Sequence, residues 1–112
     1  MNNLAVYDKS LAIERAGGSP ELATDLFGML LKELPLYRAD LLKTLEQNDL
    51  HQMLRSAHKL HGSATYCGVS ALRHAVATLE ANIKRGMTED VAHRVHDVVH
   101  EIDRIFAYAR TA

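Results

Sequence analysis

Tryptophan is absent, cysteine occurs once, and the 112 residues include only two prolines and six glycines. A single thiol, Cys67, cannot close an internal disulfide, so the chain is no disulfide scaffold and its composition fits a reducing, cytoplasmic compartment. Aromatic residues make up 5% and no segment alternates with period two, so a strand-rich fold lacks its usual material. No apolar run approaches the ~20 residues that span a bilayer, and the polar opening MNNLAVYDKS lacks the pattern of a signal peptide; direct membrane contact is not expected. Nor is there a surplus of one charge. Thirteen Lys and Arg stand against fourteen Asp and Glu, whereas phosphate backbones and anionic lipids recruit a basic excess. Nucleic acid is therefore not an expected partner, and a polar, near-neutral surface suggests a monomer.

Leu and Ala are frequent instead, and the few breakers divide the chain into helical stretches. The first covers about Asp8 to Ala16 and stops at Gly17-Gly18. A longer one opens at Ser19 with Pro20 in the first helical position and runs to about Gln47, with Pro35 expected to kink it. Asn48-Asp49 makes a turn and caps a third helix, Leu50 to Tyr66, which Gly68 ends. Ser70 is expected to cap a fourth, reaching Arg85-Gly86, and Thr88-Glu89-Asp90 to open a fifth lasting to about Ala109.

Each long segment carries one apolar stripe at helical spacing: Leu50, Met53, Ala57, Leu60, Ala64 and Cys67 on the third; Leu72, Val76, Leu79 and Ile83 on the fourth; Val91, Val95, Val98, Ile102, Ile105 and Ala109 on the last. Amphipathic helices joined by short connections pack antiparallel. The expected fold is all-α: one domain over 1–112, with an N-terminal segment and short helix in 1–18 laid across an antiparallel up-and-down four-helix bundle in 19–110.

Within the third helix, AHKLHGSATYCG (57–68) holds two histidines and places a glycine in mid-run, where alanine would be favoured by roughly 1 kcal/mol. At about 100° per residue from Ala57, the core side chains fall between roughly −80° and +60°. His58 lies outside that arc near +100°, Gly62 near +140° leaves the next turn bare, and His61 near +40° borders the core. An exposed imidazole beside a gap suits close approach by another molecule. Glu80 sits at nearly the height of His58 on the antiparallel neighbour. The two offsets either converge on one groove or diverge from it. If they converge, the carboxylate accepts from His58 Nδ1, fixes the tautomer and leaves Nε2 a bare, solvent-facing nucleophile. No Gly-rich phosphate loop and no Ser/His/Asp set is present to complete a catalytic cycle, so a partner must bring that machinery.

These residues resemble a known family. HKLHGSA, then Tyr66-Cys67-Gly68-Val69 and Glu80, and before them LLKELPLYRADLLKTLEQNDLHQMLRSA, are similar to the histidine-phosphotransfer (HPt) domains of bacterial phosphorelays. The pairing of His58 with His61 resembles the C-terminal modules of hybrid sensor kinases of the BarA/GacS type. The resemblance implies a phosphoryl carrier without kinase activity of its own. In it, His58 accepts phosphoryl from a receiver-domain aspartate and passes it to a response-regulator receiver, as part of a relay begun by a sensor histidine kinase. It implies no cofactor in this chain, Mg²⁺ coming with the receiver. Glu80 stands where relatives bond the imidazole, His61 where many carry lysine beside the phosphate, and Gly62 where the receiver approaches. Leu54, Arg55, Lys59, Thr65 and Lys84 are the expected partner-binding residues. Because an unperturbed histidine titrates near pH ~6.5 while lysine stays charged, transfer is expected to fall between about pH 6 and 8 and His61→Lys to flatten the profile.

Two other readings compete with this one. A receiver-binding module would use the same surface without passing phosphate. A small metal-binding bundle would use His93, His96 and His100, which share a face of the last helix but offer no converging fourth ligand.

Overall fold

The computed structural model describes residues 4–111; the expectations for 1–3 and 112 lie outside the described residues. Five α-helices follow in order: α1 (Lys9–Arg15), α2 (Pro20–Glu46), α3 (Leu50–Cys67), α4 (Ser70–Lys84) and α5 (Val91–Thr111). At ~1.5 Å per residue, the 27 residues of α2 span the longest dimension of a 40 × 24 × 22 Å molecule. Helix α3 packs on α2 and α4, α4 on α5, and α5 closes back on α2. This ring is the four-helix bundle expected from the apolar stripes, with α1 lying on α2 and α3.

The stripes meet in one core. Leu30, Leu34 and Leu41 of α2, Met53 and Leu60 of α3, Leu72, Val76 and Leu79 of α4, and Val95, Val98, Ile102 and Ile105 of α5 are sealed from solvent. Fully burying such side chains stabilises by about 1.5–3 kcal/mol each before ordering entropy is counted, which is why the stripes dictate the assembly. Leu50 and Ile83 pack against its edge, half-buried, and Ala109 is half-buried near the end of α5. The Asp40 carboxylate accepts from the Ser56 hydroxyl across α2 and α3, and Arg38 donates to Asp103 of α5 at 3.0 and 3.3 Å.

Local chemistry sets most boundaries. The side chains of Asp8, Ser19 and Asp49 accept from the backbone N–H groups of Leu11, Leu22 and Gln52, supplying the partners that first-turn donors lack. Helix α2 runs on through Pro35. One cap differs from the expectation. Ser70 is the first residue of α4 rather than its cap; Val69 holds the cap position without a side-chain hydrogen bond. The N–H of Ala71 instead donates to the backbone oxygen of Ala5 at 3.0 Å, so the N-terminal segment serves that end from outside the helix. Thr88–Asp90 form a single 3₁₀ turn, and α5 proper starts at Val91.

The N-terminal segment is bound tightly at this end of the bundle. Asp8 N–H donates to Gly68 O at 2.8 Å, and the Tyr7 ring lies 4.5 Å from Phe27 and 5.7 Å from Tyr108, centroid to centroid. Gly68 ends α3 at φ 71°, and a Cβ there would lie 2.8 Å from the Asp8 oxygen and 2.9 Å from the Ala12 nitrogen. Backbone conformation and closeness both require glycine.

Candidate functional site

His58 projects from the middle of α3 with 77% of its side chain exposed. Across the groove Glu80 of α4 meets it, Oε2 lying 3.2 Å from His58 Nδ1, so the two offsets converge. The Glu80 side chain is only 7% exposed. A carboxylate taken that far from water is tolerated only among donors and cations, and it has two imidazoles and one ammonium around it. Besides His58, His61 Nδ1 lies 2.7 Å from Oε1 and Lys84 Nζ 3.8 Å from Oε2. An ionised carboxylate can only accept, so both imidazoles carry a proton on Nδ1, and a neutral ring then leaves Nε2 with a lone pair. On His58 that nitrogen belongs to a largely exposed side chain.

Two shallow grooves flank the imidazole. One, of about 310 Å³, is lined by Leu54, Arg55, His58, Lys59, Glu80 and Lys84. The other, of about 280 Å³, is lined by Arg15, His58, His61, Gly62, Thr65 and Tyr66. All nine site residues expected from the sequence border one of them. The Thr65 hydroxyl donates to the His61 backbone oxygen at 2.8 Å and so is engaged within α3. A Cβ added at Gly62 would meet nothing within 4 Å. The helix cost of this glycine is thus unexplained by packing within the described chain, as expected of a position kept clear for another molecule.

Sequence reasoning missed three neighbours. Arg15 reaches the second groove from α1. Tyr66 and Met29, 63% and 58% exposed, line a further groove of about 390 Å³ beside Gly62. Tyr66 was detectable, since it stands four residues after Gly62 and so shares its face; Met29 needed the packing of α2 on α3. Cys67 is buried, and desolvation pushes its thiol up to about 11, so it stays protonated at neutral pH. Among the described residues no group of three or more His, Cys, Asp or Glu side chains could hold a metal ion, and His93 faces Asp97 at 3.7 Å. No helix among the described residues is long and apolar enough to cross a membrane.

Comparison with known proteins shows the family and the fold. Residues 25–108 match the family model described as the Hpt domain. The sensor histidine kinase GacS of Pseudomonas protegens is 33% identical over 108 residues, covering 96% of this chain and 12% of the kinase. The signal transduction histidine-protein kinase BarA of Escherichia coli K12 is 30% identical over 106 residues, 94% of this chain and again 12% of the relative. The phosphorelay intermediate protein rdeA of Dictyostelium discoideum is 22% identical over 100 residues, 89% of this chain and 39% of its own length. The crystal structure of the HPT domain of a sensor hybrid histidine kinase from Shewanella superposes with a TM-score of 0.87 at 28% identity, covering 95% of this chain and 92% of that one.

Proposed function

The chain belongs to the Hpt domain family, a histidine-phosphotransfer module of phosphorelays, and on that premise we propose that His58 is its phosphoacceptor. Phosphoryl comes from a receiver-domain aspartate and leaves for the aspartate of a response-regulator receiver. Because the chain spans only 12% of GacS and BarA, a sensor kinase upstream, a cytoplasmic setting and a monomeric carrier without kinase activity are likewise part of the proposal.

The observation that carries it is a largely exposed His58 imidazole whose Nδ1 is held by the buried Glu80, which leaves Nε2 as the free ring nitrogen. Neutral His58 attacks phosphorus through the Nε2 lone pair; the phosphorus–oxygen bond of the aspartyl phosphate breaks and its electron pair leaves with the aspartate carboxylate. The Nδ1 proton stays in place, so the ring takes up a positive charge that faces the Glu80 carboxylate. No proton has to move in either direction, which suits a carrier that must both accept and give. Both Glu80 oxygens already face imidazole N–H groups, and Lys84 adds a cation, a donor set unsuited to a divalent ion. Mg²⁺ is accordingly proposed to come with the receiver. Gly62 admits the receiver, Arg55, Lys59 and Lys84 face its acidic site, and Leu54 and Thr65 lie at the contact.

Incubation with a phosphorylated receiver tests this directly. Acid-labile, base-stable label is expected on the wild-type chain and none on His58→Gln. Label that persists in the variant refutes the assignment. Receiver binding without any label would mark a binding module instead.

A further inference from the structure

We infer that His61 is a positioning residue that acts through Glu80 on the tautomer and orientation of His58. The inference rests on His58 being the phosphoacceptor and adds a role for the second imidazole.

Glu80 has two carboxylate oxygens and uses one on each ring: Oε1 lies 2.7 Å from His61 Nδ1, and Oε2 lies 3.2 Å from His58 Nδ1. The shorter bond goes to the ring that is not the nucleophile. His61 is also the better anchored of the two, its side chain 32% exposed against 77% for His58. Three residues apart on α3, the two rings lie on one face, and each meets a different oxygen of the carboxylate. Without His61, the carboxylate would retain Lys84, whose flexible ammonium stands 3.8 Å from Oε2, the oxygen His58 uses. A point charge on a mobile stem attracts Glu80 but does not fix its rotation. His58 would then lose the acceptor that holds its proton on Nδ1, and Nε2 would carry that proton part of the time and cease to be a nucleophile.

The resemblance to HPt domains places a charged group at this position beside the phosphate. Positioning makes a different demand. The Nδ1 proton that holds Glu80 is present on both neutral and protonated His61, so the role does not depend on the charge of the ring. The charged and titratable groups around His61 are His58 on its own helix, Glu80 and Lys84 from α4, and Arg15 from α1 in the shared groove.

The experiment combines long-range ¹H–¹⁵N spectra of the histidine rings at pH 8 with transfer rates from a phosphorylated receiver. Wild type should show His58 protonated on Nδ1 alone. In His61→Ala, His58 should become a mixture of tautomers and transfer should fall by roughly tenfold, the scale on which residues that orient a reactive imidazole act. His61→Gln, whose amide can donate to Glu80, should recover most of both. Between pH 7 and 8.5, wild type and His61→Lys should keep parallel rates, in contrast to the falling wild-type profile expected if the ring acted by its charge. An unaltered tautomer or an unaltered rate in His61→Ala overturns the inference. A wild-type rate that declines over that range while His61→Lys stays level also overturns it, by assigning the work to charge at the phosphate. The tautomer readout needs no phosphoryl donor, so failure of His58 as acceptor shows separately, as label retained in His58→Gln.

Discussion

Gly62 separates stability from function more clearly than any other residue of the site. It sits in mid-α3 with open space where a Cβ would go, so Gly62→Ala is expected to raise the unfolding free energy by up to about 1 kcal/mol, from helix propensity alone. A bulky side chain should fit the isolated chain as easily yet stand between His58 and anything docking on it. Gly62→Leu should leave the melting temperature at or above wild type while transfer from a phosphorylated receiver drops by roughly a hundredfold, since a misplacement of about 1 Å is enough for that. Unchanged transfer would return Gly62 to the status of a tolerated imperfection. The exposure of His58 was legible from helical periodicity, because a residue about 100° off the stripe has nowhere else to point. That Glu80 would meet it was legible only as one of two alternatives. The bond from His61 to Glu80 was not legible, because it depends on how two side chains on different helices share one carboxylate, which spacing along one helix does not determine.

Among the elements, helix starts were readable where the cap lies next to the helix, as at Asp8, Ser19 and Asp49. The start of α4 was not, because its acceptor, Ala5 O, comes from 66 positions away along the chain. A capping rule is local and cannot see a donor satisfied by a distant segment. The same segment makes Gly68 critical. Its φ of 71° and the closeness of Asp8 and Ala12 mean that Gly68→Ala adds backbone strain and forces the N-terminal segment away from the α3–α4 turn. A loss of about 2 kcal/mol in denaturant unfolding is expected, with faster amide exchange at Asp8 and Ala71, whose N–H groups bond across this junction. If the loss stays within a few tenths of a kcal/mol, the junction is loose and α1 contributes little to the bundle.

At the scale of the whole molecule, the bundle closes around a core holding one ionisable thiol, and this ties stability to alkaline pH. Cys67 is buried between α3 and α2, its Sγ 3.5 Å from the Leu26 oxygen. Desolvation first, and the charge of Glu33 second, push it from the ordinary 9.0 to about 11. Below about pH 8 the thiol is protonated whether the chain is folded or not, so its contribution is fully present. Above that the unfolded chain releases the proton while the folded chain holds it until about 11, and folding stability must fall as pH rises through this window. Tyr7, raised mainly by burial and then by Tyr108 and Cys67, acts with the same sign at higher pH and keeps its two larger causes in a Cys67→Ala variant. Urea unfolding of wild type and Cys67→Ala at pH 8 and pH 10.5 isolates the thiol. The wild-type advantage at pH 8 should shrink at pH 10.5 by on the order of 1–2 kcal/mol. An advantage that stays constant would mean that the thiol ionises as readily inside the bundle as in the unfolded chain, and that the α2–α3 seam admits water.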